Sequence, residues 1–109
     1  MARVVIFTCL TARPGVRDTL LEQLERFGEI VRAEPGNETF EVHAARDLPN
    51  VVLGYEVFRD DEALAAHRAS DATVAMTERL PALLAAPPEI TYAVSRASPD
   101  SRSASTDSR

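Results

Sequence analysis

Two hydrophobic periods alternate along the chain, and their order sketches a fold. Val4-Val5-Ile6-Phe7-Thr8-Cys9-Leu10 is a continuous run rich in β-forming residues, so Arg3 to Thr11 reads as a strand. Arg13-Pro14-Gly15 ends it with turn chemistry. From Val16 to about Glu34 the period becomes helical. Val16, Leu20, Leu24, Phe27 and Val31 share one face, and Arg17, Glu22, Glu25, Arg26 and Glu29 take the other. Pro35-Gly36 stops this helix. Glu38 to Ala45 alternates with period two: Phe40, Val42 and Ala44 on one side, Glu41 and His43 on the other. Val51 to Arg59 is the third strand, and the short turn Arg46-Asp47-Leu48-Pro49-Asn50 makes an antiparallel hairpin of the two. Asp60-Asp61-Glu62 opens a helix to about Ala69, with carboxylates where the macrodipole favours them. Ser70-Asp71 marks a break and a new N-cap. In the helix that follows, Pro81 predicts a kink or early interruption. After Pro87-Pro88, Glu89 to Ser95 is a fourth strand, with Ile90, Tyr92 and Val94 alternating.

The order β-α-β-β-α-β predicts an α+β fold, the ferredoxin-like arrangement with an antiparallel sheet. Residues 1–96 form one domain, as a length of 109 residues suggests. Residues 97–109 are Ser/Asp/Arg-rich, lack large apolar side chains, and are expected to be a disordered tail. The first strand is apolar on both faces: Val5, Phe7 and Cys9 oppose Val4, Ile6 and Leu10. Helices in this fold cover one face only. The other is expected to be buried by a second copy, sheet against sheet, in a homodimer.

Composition narrows the function. The net charge of −5 disfavours nucleic acid and anionic membranes as partners. All twelve cationic side chains are arginine, which excludes lysine Schiff-base chemistry. The lone cysteine, Cys9, excludes an intramolecular disulfide and reads as a buried small hydrophobe. No apolar run approaches the ~20 residues of a membrane span, and no signal-peptide layout is present. The expected location is cytoplasmic.

Candidate chemistry centres on a strand that runs into a helix. Leu53-Gly54-Tyr55-Glu56-Val57-Phe58 carries a lone carboxylate, and His67 follows Glu56 by eleven residues. Together they form a potential acid-base pair beside an apolar cavity. A structural reading stands alongside. Glu56 is costly to bury mid-strand and needs a partner; the favoured structural reading gives it an arginine such as Arg68 or Arg79, or backbone across a dimer. His43 shares a strand face with Glu41, and a structural role there competes with ligand binding. With only two histidines and no clustered carboxylates, no metal site is expected.

Several segments resemble the antibiotic biosynthesis monooxygenase (ABM) superfamily. They are Thr11-Ala12-Arg13-Pro14-Gly15, Arg32-Ala33-Glu34-Pro35-Gly36, Phe40-Glu41-Val42-His43, Pro49-Asn50, Tyr55-Glu56-Val57-Phe58 and Glu62-Ala63-Leu64-Ala65-Ala66-His67-Arg68-Ala69-Ser70. They follow one another in order, and the resemblance covers about residues 3–95. The resemblance implies a dimeric α+β barrel with a cavity between sheet and helices in each subunit. The superfamily includes quinol and polyketide-anthrone oxygenases that use neither flavin nor metal, heme-degrading enzymes, and isomerases of small phosphorylated sugars.

The resemblance also implies roles for single residues. His67 matches the histidine that closes the family's helix motif and is the expected catalytic residue. Glu56 stands at a position that is usually acidic, and His43 where a histidine is common. Phe58 replaces a tryptophan carried by many members. It can wall an aromatic pocket but has no N–H to orient an oxygen substituent. Thr8 occupies the position of an asparagine in the heme-degrading branch and is a candidate ligand contact. That branch's heme-ligating histidine is missing from Thr73-Val74-Ala75-Met76-Thr77-Glu78-Arg79. The leading expectation is a cofactor-independent monooxygenase that joins dioxygen to a phenolic, quinol or polyketide-type aromatic. One alternative is a cofactor-free isomerase, cyclase or dehydratase of an enolisable polyketide or small sugar. The other is a non-catalytic, small-molecule-binding dimer module.

Overall fold

A computed structural model describes residues 2–97. The order is β1 (Val4–Thr11), α1 (Arg17–Arg32), β2 (Asn37–Ala44), β3 (Val51–Phe58), α2 (Asp61–Ala69), α3 (Asp71–Leu83) and β4 (Glu89–Ala93). The four strands form one antiparallel sheet in the order β2-β3-β1-β4. This is the expected α+β, ferredoxin-like arrangement, with the second helical crossover split in two. The expectation of a disordered tail falls on residues that lie, beyond Ala97, outside those described.

The period of two assigns each strand residue to a face. Ile6 pairs with Glu56, Thr8 with Gly54 and Leu10 with Val52, so these residues share the face under the helices. Leu20, Leu24, Phe27 and Val31 of α1 meet Phe40, Val52 and Phe58 there. Leu20, Val31, Val52 and Phe58 are fully buried, each worth about 1.5–3 kcal/mol of transfer free energy. On the opposite face Phe7 and Leu53 are 49% and 42% exposed. The Phe7 ring packs on that of Tyr55, centroid to centroid 5.3 Å. Cys9 belongs to this face and is half-buried, not the core residue its apolar run suggested.

Side chains fix the connections. Arg17 donates from Nη1 to the carbonyls of Ala45 and Leu48, each at 3.0 Å, and so clamps the β2–β3 turn onto α1. Asp60 caps α2 by accepting from the Ala63 N–H at 2.8 Å. Ser70 ends α2 and starts α3: its hydroxyl donates to the His67 carbonyl at 2.8 Å and accepts from the Thr73 N–H at 3.2 Å.

The interruption expected at Pro81 does not occur, since α3 runs on to Leu83. Pro81 falls in the last turn, so its missing N–H costs a single helical hydrogen bond close to where the helix ends. Arg13 meets the carbonyls there. Its Nη2 donates to Pro81 at 3.1 Å, its backbone N–H to Leu83 at 2.9 Å and its Nε to Leu84 at 3.1 Å. The fourth strand is also shorter than expected. It lies at the sheet edge, with Ile90 and Tyr92 each 51% exposed. Among the described residues no helix is long and apolar enough to cross a membrane.

Candidate active site

The helices do not settle flat on the sheet. A cavity of about 270 Å³ remains between the covered face and the three helices. Leu24, Phe27, Phe40, Val52, Leu64 and Met76 give it an apolar wall. Thr8, Glu56, His67 and Thr73 are polar groups in the lining. Arg68, Thr77, Ile90 and Tyr92 also line it and are exposed, so they form its rim beside the edge strand. The Arg68 guanidinium lies over the Tyr92 ring, 5.1 Å from its centroid, and hydrogen-bonds the Tyr92 hydroxyl.

Gly54 gives Thr8 its place. A Cβ at Gly54 would come within 2.3 Å of the Thr8 hydroxyl, directly across the β1–β3 pair. The bare backbone there lets Thr8 stand in the cavity wall.

His67 is the only buried polar or charged residue in the described core, at 8% exposure. Its place in the last turn of α2 follows from period and capping, because it shares the inner face with Ala63 and Leu64. Its Nδ1 lies 2.8 Å from Glu34 Oε1. Its Nε2 lies 3.7 Å from Glu56 Oε1, an ion-pair distance too long for a direct hydrogen bond. The Phe58 ring packs against the imidazole with centroids 4.7 Å apart, and Phe27 stands at 6.0 Å. One imidazole is thus held between two carboxylates and two aromatic rings.

Burial pushes the Glu56 carboxyl above the ordinary carboxylate value of about 4.5. The charge of His67 opposes this rise, and the charge of Glu34 adds to it. A carboxyl that holds its proton more tightly than an exposed one suits proton exchange with a bound ligand.

The structure sorts the expected site residues. His67, Glu56 and Thr8 meet in the cavity lining. Of the partners expected for Glu56, the structure brings His67 close, and neither Arg68 nor Arg79 pairs with Glu56 among the described residues. Phe58 is fully buried and is not among the lining residues, so it backs the imidazole rather than walling the pocket. Phe27 and Phe40 supply the aromatic wall. His43 lies on the open face of the sheet, exposed and 3.1 Å from Glu41 Oε1, and does not line the cavity. From the sequence Glu34 is only the end of a helix and part of a family segment. A carboxylate two residues before the Pro35-Gly36 turn's end was its only signal, since the contact spans 33 residues. Among the described residues, no group of three or more His, Cys, Asp or Glu is arranged to hold a metal ion.

The sequence profile described as antibiotic biosynthesis monooxygenase matches residues 3–79, a span that includes the cavity's β1, β2, β3 and α2. The chain belongs to this family. Among solved structures, Rv0793 from Mycobacterium tuberculosis is similar with a TM-score of 0.84 and 22% identity, covering 90% of this chain and 99% of that one. PA3566 from Pseudomonas aeruginosa has a TM-score of 0.82 and 25% identity, with 89% and 97% covered. A structure described as an antibiotic biosynthesis monooxygenase has a TM-score of 0.76 and 18% identity, with 88% and 99% covered. No curated protein matches in sequence. The ABM fold therefore spans nearly all of the described chain, while identities this low leave the chemistry to the site itself.

Linkage gives the Glu56 carboxyl a stability signature. Its proton is bound more tightly in the folded state than in the unfolded chain. Its contribution is therefore full below about pH 4.5 and is lost as pH rises through the raised folded value. Glu56→Gln removes this titration. Its stability relative to wild type, from urea unfolding, should shift in the variant's favour as pH rises above about 4.5. A difference that stays flat with pH would contradict a buried ionisable Glu56.

Proposed function

We propose that the chain is a cofactor-independent monooxygenase of a compact phenolic, quinol or polyketide-type aromatic. The observation that carries this reading is the acid-base set of His67 and Glu56 on the wall of an otherwise apolar cavity. At about 270 Å³ the cavity lies just below the usual range of roughly 300–1,000 Å³ for ligand sites. That suits a small fused-ring molecule and not an extended one.

The 3.7 Å between Nε2 and Glu56 Oε1 leaves room for a hydroxyl oxygen placed beside both. The reaction then proceeds in balanced steps. The phenol O–H bond breaks and its proton goes to His67 Nε2. The phenolate gives one electron to dioxygen, and the radical pair joins at the ring carbon opposite the hydroxyl. The proton returns from His67 to the new peroxide. Loss of that carbon's hydrogen as a proton, with cleavage of the O–O bond, gives a quinone and water. One oxygen atom ends in the carbonyl and one in water, so no external reductant enters. The protein contributes proton transfer and an apolar, water-poor site.

One observation favours a second reading. Phe58, where many relatives carry an indole N–H, is sealed behind the imidazole and offers the ligand no hydrogen bond. The set of one imidazole and two carboxylates serves an isomerisation or dehydration of an enolisable compound equally well. Oxygen uptake with purified protein and 1-naphthol or anthrone separates the two. Uptake above background, lost by about 100-fold in His67→Ala, is the result expected. Turnover that persists under strict anaerobiosis would overturn oxygenation in favour of the second reading.

The open sheet face is proposed to bury itself against a second copy of the chain. Its support is the apolar surface of Phe7, Leu53 and Tyr55 on a face that no helix covers. Sedimentation equilibrium should give a dimer, and Phe7→Asp should shift it to monomer by placing a charge in a dry interface. A wild-type chain that stays monomeric as concentration rises would contradict this.

A further inference from the structure

His67 is held from outside the cavity as well as facing into it. Glu34 lies in the turn after α1 and does not line the cavity, and its side chain is 21% exposed. The turn is rigid. The Glu34 N–H donates to the Val31 carbonyl at 2.9 Å, and the Glu34 carbonyl accepts from the Asn37 N–H at 3.1 Å. The Gly36 carbonyl accepts from the Arg59 N–H at 2.9 Å, which ties the turn to the end of β3. Gly36 also lies against α2 one turn before His67: a Cβ there would come within 2.2 Å of Ala63 Cβ. The carboxylate is thus carried to the imidazole by a turn that is hydrogen-bonded to β3 and packed on α2.

Two atoms compete for Nδ1. Glu34 Oε1 is at 2.8 Å, and Thr73 Oγ1 is at 3.4 Å, beyond good hydrogen-bond length. A carboxylate accepts and cannot donate, so the proton of the neutral ring belongs on Nδ1. The lone pair then belongs to Nε2, which faces Glu56 and the cavity. We infer that Glu34 is the positioning residue of the site: it fixes His67 as the Nδ1–H tautomer, so that Nε2 is the atom that takes the substrate proton. When that proton arrives, a substrate O–H bond breaks, an Nε2–H bond forms, and the imidazolium charge lies between the two carboxylates. This catalytic consequence rests on the proposed reading of His67 as base, whereas the tautomer does not.

Long-range ¹H–¹⁵N correlation spectra of the full chain, without ligand and with the ring neutral, read the tautomer directly. The exposed ring of His43 serves as the reference. Wild type should show His67 protonated on Nδ1. Glu34→Ala should move the ring toward Nε2–H, the ordinary preference of a free imidazole. Glu34→Gln should keep Nδ1–H, because its amide oxygen still accepts. In turnover, Glu34→Ala should lower kcat by about 100-fold with little change in KM, and Glu34→Gln should recover part of the loss. A purely structural Glu34 would lower Tm and leave the tautomer unchanged, and that result overturns the inference. So does a wild-type His67 protonated on Nε2, which decides the matter even if Glu34→Ala fails to fold. Absence of turnover in wild type with the expected tautomer would defeat the oxygenase reading and leave the positioning role standing.

Discussion

The sheet has two apolar faces and the chain has helices for only one. That mismatch governs the rest of the molecule. On the covered side, the period-two alternation of β1 and β3 directs Ile6, Leu10, Val52 and Phe58 into a single core with α1. On the other side the same alternation leaves Phe7 and Leu53 in contact with solvent. Even the covered side is not sealed, because β4 sits at the edge and its inner residues Ile90 and Tyr92 stay half exposed. The gap between helices and sheet becomes a cavity with an apolar interior and a polar rim.

Within that cavity the expensive groups are confined to one place. A buried imidazole and a mostly buried carboxylate each carry a desolvation cost, and each needs a partner to persist. His67 meets that need twice, through Glu34 on one nitrogen and Glu56 near the other. The aromatic rings of Phe58 and Phe27 also pack against it. The cluster is not symmetric. One carboxylate bonds the ring at close range from outside the cavity, and the other stands off inside it.

Much of the fold was legible in the sequence. The helical face of α1, the β2–β3 hairpin and the Ser70 break all appear at or near the expected positions, because each is written in local periodicity or turn chemistry. Elements were misjudged where a distant partner decides. Pro81 predicts a kink or early interruption, yet the helix runs on to Leu83, and Arg13, far away in sequence, meets the carbonyls at its end. The site was partly legible for the same reason. His67 and Glu56 are close in sequence, and a histidine on the inner face of a short helix stands out. The sequence leaves several partners open for Glu56, because nothing local shows which way a strand carboxylate will meet a helix. Glu34 was invisible as a site residue, since its contact depends on how the α1–β2 turn docks on α2. Phe58 was placed in the pocket wall, but packing set it behind the imidazole instead.

A structure with a bound phenol such as 1-naphthol tests the site most directly. The ring should lie among Phe27, Phe40 and Met76, with its hydroxyl oxygen about 2.6–3.2 Å from both His67 Nε2 and the Glu56 carboxyl. A ring seated on the open sheet face, or a hydroxyl turned away from His67 toward the Arg68–Tyr92 rim, would contradict the assignment of His67 as the group that takes the substrate's proton.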